Sequence, residues 1–399
     1  MNVCMVAYSI YEFDNRVMRY AETLAARGDH VDVVALRQKD DPPRGSVNGV
    51  DLFRIQERPL PERGRCTYIF RVLLFLFRAM VFLTKRQIRN RYDLIHVHSV
   101  PDCLVFAAWL PRLTGCKVIL DIHDVLPEFY ASKFRASRKS LAFKLLLWIE
   151  RISAAFSDHV IVANHIWQER LSQRSVKRNK CTAILNFPDR SIFRCQGRKR
   201  HDEKFIIVYP GTLNWHQGVD IAIRAFALIK DEAPNAEFHI YGVGRTRDSL
   251  MGLASQLGLA GRVVFRDPLP LREIAAVMEN SDLGVVPKRS DSFGNEAFST
   301  KILELMAMRV PVIVSDTEVD RYYFDESTVK FFRNNDERDL ARCMLLLMRR
   351  PELRQTMVGN AWKFVTENDW DGNKRRYLNL VDALVCHPRV PLLSRPASF

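Results

Sequence analysis

The chain is predicted to fold as α/β, with two Rossmann-like domains whose parallel sheets face a central cleft. Three observations carry this prediction. The 399 residues exceed what one ordinary core accommodates. Short, continuously apolar runs alternate with helix-length patterns, as strands buried on both faces of a parallel sheet require. The alternation breaks once, between about Asn186 and Lys204, and then restarts.

Val3 to Ser9 reads as the opening strand. Asp14 is placed to cap a helix that runs to about Gly28, where glycine supplies the usual stop. His30 to Leu36, Asp93 to His98, Lys117 to His123 and His159 to Ala163 follow as strands. Helices are expected over Pro101 to Thr114 and Ser140 to Phe156. The break carries Pro, Gly and the basic cluster Arg198-Lys199-Arg200, which reads as a linker. Beyond it, strands are expected at Phe205 to Tyr209, Glu237 to Tyr241, Arg262 to Phe265, Leu283 to Val286 and Val312 to Val314, with a helix from Gly218 to Asp231. Leu353 to Val385 looks helical and His387 to Phe399 loose. The implied domains are 1–190, 191–365 and a terminal segment 366–399 packing back toward the first.

Composition narrows the function classes. Hydrophobic residues at 47% suffice for two cores, so extended disorder is excluded. The eight cysteines form no C-x-x-C pair and read as reduced thiols rather than a zinc site or disulfide framework. The first residues lack the basic region and cleavage site of a signal peptide, so a cytoplasmic location is expected. The net charge of +14 is uneven: residues 1–200 carry 34 Lys+Arg against 19 Asp+Glu, residues 201–399 26 against 27. A basic first half implies a polyanionic neighbour, a membrane leaflet or nucleic acid. No nucleic-acid-reading motif accompanies the charge, so nucleic acid is not expected as a partner. Tyr68 to Arg91 is strongly apolar but interrupted at Arg71, Arg78 and Lys85, a spacing of seven that keeps the three within about 40° of one another on a helix. Such a helix fits either a membrane interface or a core element with one solvated edge; the interface is favoured because the rest of this half is also basic.

The residues that carry chemistry lie mostly in the second half. Glu296 and Glu304 stand eight residues apart, the first in a loop and the second on the helix that follows, able to address two ends of one extended ligand. Between them, the backbone N–H groups of Phe298, Ser299 and Thr300 would open a helix N-terminus, a ready place for a diphosphate. Upstream, the run from Pro210 to Asp220 holds Gly211, Thr212, Gln217 and Gly218 between a strand and a helix, and Gly242-Val243-Gly244 closes another strand. In the first half, His123, Asp124 and Glu128 follow a strand at its C-terminal end, where α/β sheets bind ligands.

In this full context the chain resembles the retaining glycosyltransferases of family 4, of the two-Rossmann-domain (GT-B) type, from the opening strand to about Trp370 and most densely from Val208 to Ser315. The resemblance implies that Glu296 contacts donor sugar hydroxyls, Glu304 the nucleotide ribose, and His123 the donor sugar. Gly211, Gly244, Phe298, Ser299 and Thr300 are implied near the nucleotide. It implies no cofactor beyond the nucleotide-sugar substrate (UDP- or GDP-linked) and no metal; the D-x-D at Asp369 to Asp371 is read as surface. The sequence departs from the family at Thr212 and Gln217, where an Arg and a Lys commonly face the diphosphate. Lys288, Arg289, Lys301 or His216 must then supply the charge that the leaving diphosphate requires, with Lys288 the first choice. The family's Gly-Gly loop is replaced by Tyr11 to Arg16, so Asn15 and Arg16, with Asp124 and Glu128, are candidate acceptor contacts. Arg309 stands where the family usually has glycine. The expected activity is transfer of a sugar to a lipid-linked or polysaccharide-precursor acceptor, with peripheral contact at the inner membrane face through the basic half. A catalytically silent nucleotide-sugar-binding relative and a nucleotide-sugar epimerase of the same fold remain alternatives.

Overall fold

A computed structural model of the chain describes residues 1–58, 65–134 and 136–386; the tail His387 to Phe399 lies outside them. The chain divides into two compact α/β units, Phe187–Gly372 and a unit made of Met1–Asn186 joined by the returning chain from Asn373.

The first unit contains β1 (Asn2–Ile10), α1 (Asn15–Arg27), β2 (His30–Arg37), β3 (Arg44–Val47), β4 (Val50–Glu57), α2 (Arg65–Arg89), β5 (Leu94–His98), α3 (Trp109–Leu113), β6 (Lys117–Ile122), α4 (Leu126–Phe134), α5 (Leu141–Phe156), β7 (His159–Val162), α6 (His165–Arg174) and β8 (Cys181–Ala183). Its sheet runs β3-β4-β2-β1-β5-β6-β7-β8 and is parallel except where β3 meets β4. The start of α1 obeys local chemistry: the Asp14 carboxylate accepts the Val17 N–H at 3.2 Å, and Gly28 stops the helix at φ 97°. The β3–β4 hairpin was not expected. Its signal is Asn48-Gly49, both at positive φ, the pair that a two-residue hairpin turn demands. The helix expected over Pro101 to Thr114 is instead a 3₁₀ turn, Asp102–Ala108, followed by the short α3.

The second unit contains β9 (Phe205–Pro210), α7 (Val219–Ile229), β10 (Ala236–Tyr241), α8 (Arg247–Gln256), β11 (Val263–Arg266), α9 (Leu271–Glu279), β12 (Leu283–Val286), α10 (Thr300–Ala307), β13 (Val312–Ser315), α11 (Glu318–Tyr323), β14 (Lys330–Phe332), α12 (Glu337–Arg349) and α13 (Pro351–Glu367). Its sheet is wholly parallel, in the order β11-β10-β9-β12-β13-β14. Direction along the sheet reverses between β9 and β12, and at such a switch point the loops leaving the strand ends diverge and open a crevice. The segment before β9 has no regular structure but is tied down: the Gln196 and Gly197 N–H groups donate to Glu279, and those of Lys199 and Arg200 to Asn280.

The C-terminal helical region is two helices rather than one. α13 ends at Glu367 and α14 (Trp370–Val385) returns to the first unit, where the Tyr377 ring lies 4.3 Å from that of Tyr20 and its hydroxyl meets His96 Nδ1 at 3.0 Å. Asp369 of the D-x-D is buried, not surface: it accepts the Gly372 N–H at 2.8 Å and pairs with Arg190 at 2.6 Å. Arg309 closes α10 with φ 56°, the left-handed conformation that glycine adopts without strain, and its guanidinium lies 4.7 Å from the centre of the Trp362 ring. Arg309→Ala and Arg309→Gly both remove the ring contact, but only alanine keeps the backbone strain. Urea unfolding should find the alanine variant less stable than the glycine variant by about 1 kcal/mol.

Candidate active site

In the second unit, the loops leaving β9 and β10 meet the start of α10. Gly211 leaves β9 at φ 146°, and a Cβ there would sit 2.1 Å from Lys301 Cε, so the glycine makes room for that lysine. Lys301, on the first turn of α10, donates to Gln217 Oε1 at 3.2 Å, and Gln217 also accepts from the Tyr209 hydroxyl at 3.1 Å. The lysine Nζ lies 5.6 Å from the centre of the Tyr209 ring. Burial pulls the Lys301 ammonium down to about 8, with the neighbouring Glu304 carboxylate opposing the shift. Gly211, Thr212, Gly242, Thr300, Lys301 and Glu304 line a cavity of about 370 Å³. A lysine that is still an ammonium at neutral pH, a carboxylate one helical turn on and a helix N-terminus thus share one hollow.

Several expected site residues serve other partners. Lys288 is buried, pairs with Asp320 at 2.9 Å and donates to the Ala297 carbonyl at 2.7 Å. It braces the turn before α10 and does not line the cavity. The reason is energetic: a buried ammonium needs a close anion, and Asp320 takes that role. Arg289 makes two bonds to Asp220, at 2.9 and 2.7 Å, and its guanidinium lies 4.7 Å from the centre of the Trp215 ring, also away from the cavity. The His216 ring packs edge-on against Phe293. Lys301 is therefore the cation that lines the cavity among the described residues. Glu296 is buried in the turn that leads to α10 and does not line the cavity, whereas Glu304 does. Phe298 anchors that turn against Tyr323, with ring centres 5.0 Å apart, and the Ser299 hydroxyl at the helix N-cap is buried with no hydrogen-bond partner among the described residues. Gly244 packs on the Leu213 carbonyl, which a Cβ would approach to 2.1 Å.

In the first unit, the end of β6 carries a buried polar cluster. Asp121 accepts two N–H bonds from Arg16, at 2.7 and 2.8 Å, and lies 3.2 Å from His123 Nε2 and 3.3 Å from His98 Nδ1. Burial opposes the charge on Asp121, but Arg16 and His123 overcome it and hold the carboxyl well below its ordinary range. Burial likewise disfavours the His123 cation, yet Asp121 more than compensates and raises it above the usual histidine value. His96 and His98, deeper in, are depressed by burial and stay neutral. His96, His98 and Asp121 come close enough to ligate one ion, but Arg16 already engages both Asp121 oxygens, which disfavours a cation there.

Two proposed acceptor contacts are absorbed by this framework. Arg16 is 5% exposed and also donates to the Ile184 carbonyl and Asn186, so it positions Asp121. Glu128 is buried under Arg174 (2.6 and 2.9 Å) and Arg170, beside Glu150. Asn15 is exposed at the start of α1, and Asp124 is half-buried with its carboxyl raised by burial. Tyr209 and Asp121 were missed. Each sits at the end of a strand, the one local cue that marks such positions in an α/β sheet.

Two family descriptions cover nearly the whole chain: "Glycosyl transferase 4-like domain" matches residues 14–186, and "Glycosyl transferases group 1" matches residues 193–364. The D-inositol 3-phosphate glycosyltransferase of Thermomonospora curvata is 23% identical over 392 residues, 91% of this chain and 88% of the relative. Among solved structures, sucrose-phosphate synthase from Thermosynechococcus elongatus matches with a TM-score of 0.81 at 19% identity, over 97% of this chain and 99% of the other. HepE of Anabaena in complex with UDP-glucose matches with a TM-score of 0.71 at 13% identity, over 96% and 99%. Its first half matching the 4-like description and its second the group 1 description, on two mostly parallel α/β units, this chain belongs to the family 4 type of glycosyltransferases with the GT-B fold.

Proposed function

We propose that the enzyme transfers a hexose from a UDP-linked donor, with retention of configuration and without a metal, to a lipid-linked or polysaccharide-precursor acceptor at the inner membrane face. The observation that carries the reading is the cavity in which Lys301 and Glu304 stand beside the glycine loops of β9 and β10. The diphosphate lies at the N-terminus of α10, where backbone N–H groups and the Lys301 ammonium offset the charge that grows as the glycosidic bond breaks. Lys301 thus takes over the task of the basic residues that Thr212 and Gln217 replace. Glu304 accepts the ribose hydroxyls, and Glu296 and His123 are kept for the donor sugar. Among the described residues no carboxylate lines the cavity besides Glu304, which is kept for the ribose, and this supports attack by the acceptor on the face that the leaving phosphate vacates. UDP is favoured over GDP because the similarly folded HepE binds UDP-glucose.

Thermal unfolding with UDP, GDP and their sugars tests the donor assignment. A donor at about a hundred times its Kd should add about 2.7 kcal/mol of stability. Glu304→Ala should abolish that gain; undiminished stabilisation of the variant would remove the ribose assignment. Turnover of the donor sugar into an epimer without any acceptor would replace transfer by epimerisation.

A further inference from the structure

The first unit carries an exposed apolar layer that the donor site does not use. The connections β4–α2–β5, β5–α3–β6 and β6–α5–β7 all step in the same direction along the sheet. Right-handed crossovers therefore place α2, α3 and α5 on one face of it, with α2 packed against α3 and the preceding 3₁₀ turn, and α5 against that same turn. On α2, Val72, Phe75, Ala79 and Leu83 are buried and form the inner stripe. That stripe settles the character of the helix: α2 is long and apolar enough to cross a membrane, but it is a crossover element with its inner face in the core.

Its outer face is not polar, as a solvated edge would be. Phe70 and Phe77 are 66% and 62% exposed, with Leu73 between them. At 100° per residue these three sit opposite the buried stripe, and Arg71, Arg78 and Lys85 run beside them, about 90° round the helix. α5 repeats the design: Leu141, Leu145 and Trp148 are exposed at 85%, 56% and 57%, interleaved with exposed Lys144 and Arg151. Trp109 and Leu113 of α3 add to the layer. The sequence from Arg65 to Arg91 contains no acidic residue, and the one in α5, Glu150, is buried against Arg174. Among the described residues, Arg78, Lys85, Lys144 and Arg151 have no carboxylate partner. At the end of α2, Arg44, Lys85, Arg86 and Arg89 line a cavity of about 490 Å³ with one acid, Asp51, and Arg86 pairs with Asp32 at 3.1 Å.

We infer that this three-helix face docks the enzyme on an anionic lipid bilayer, with α2 and α5 both lying in the interface and their lysines and arginines on the headgroups. The inference rests on the reading of a membrane-borne acceptor and specifies how the enzyme meets it. The charge pattern selects the occupant. Apolar side chains and tryptophans flanked by cations of one sign match an acidic leaflet. A second copy of the chain, related by a two-fold axis, would set the same cations against one another.

Flotation of the full-length protein with vesicles tests this. Phosphatidylglycerol-containing vesicles should carry the enzyme to the top of the gradient, pure phosphatidylcholine vesicles should not, and high salt should release it. Leu145→Glu/Trp148→Glu on α5 and Phe70→Glu/Phe77→Glu on α2 should each weaken binding about tenfold or more. Brominated lipid should quench the tryptophan emission of the wild type and quench Trp148→Phe, a conservative variant, less. Wild-type binding by the α5 variant with unchanged quenching in Trp148→Phe would overturn the three-helix face. So would a wild-type dimer that the same substitutions dissociate. The thermal shift with UDP is read on every variant: retained, it shows a folded donor unit, and its absence in the wild type would count against the donor reading and not against the membrane face.

Discussion

Lys301→Met should lower sugar transfer about 10²–10³-fold at saturating donor, about 2.7–4 kcal/mol of lost transition-state stabilisation, the range seen when one preorganised donor to a developing anion is removed. The loss should fall on kcat because the diphosphate gains charge as it leaves, so the lysine acts more strongly on the transition state than on the bound donor. Lys301 titrates at about 8, and kcat/KM should therefore decline as pH rises through that value, where the free enzyme loses the ammonium. Lys301→Arg should keep part of the activity and move the decline to higher pH. Lys288→Met provides the contrast. It leaves Asp320 buried without its cation and should cost about 3–5 kcal/mol of folding stability. Steady-state rates and unfolding midpoints on the two variants separate the roles. Full activity in Lys301→Met would return the diphosphate to another cation; a strong fall in kcat with unchanged stability in Lys288→Met would point to that one.

That contrast shows what can be read from a linear sequence and what cannot. Strands, the α1 caps and the interdomain break were legible because they depend on residues within a few positions of one another, as Asp14 and Gly28 do. The Glu296–Glu304 spacing was legible for the same reason. The choice among Lys288, Arg289 and Lys301 was not. It depends on Asp320, 32 residues from Lys288, on Asp220, 69 residues from Arg289, and on Gln217, 84 residues from Lys301. Adjacent cations look alike until the fold decides which of them meets an acid. Arg16 and Glu128 illustrate this from the other side. Both lie near strand ends, as binding residues do, but their partners Asp121 and Arg174 are 105 and 46 residues away. The hairpin of β3 and β4 carries a local signal in Asn48-Gly49, but the strand before that turn is short and polar and gives no apolar run to pair with it.

Arg16→Met should destabilise the first unit by about 3–5 kcal/mol near neutral pH, because it strands the Asp121 carboxylate in the core with only histidines for company. The pH dependence identifies the cause. In the wild type the Asp121 carboxyl is held well below its ordinary value, so its contribution to stability is present above the unfolded carboxyl range and is lost as pH falls through the lower folded value. In the variant the carboxyl loses its strongest partner and titrates higher. Acidification then neutralises it, and the gap between wild type and variant should narrow as pH falls. His96, depressed first by burial in both proteins, makes stability fall as pH drops below the ordinary histidine value, because the unfolded chain takes up the proton first; Arg16 adds to that depression in the wild type, which also narrows the gap on acidification. Urea unfolding of both proteins from pH 8 to pH 5 reads the difference directly. A gap that widens on acidification would show that Arg16 matters for packing or for its bonds to Ile184 and Asn186 rather than for the charge on Asp121. The same variant bears on catalysis, since Asp121 also orients His123. If His123 contacts the donor sugar, Arg16→Met should lower transfer even at a temperature where the variant is fully folded, and Lys301 and Glu304 in the other unit should still give the full thermal shift with nucleotide.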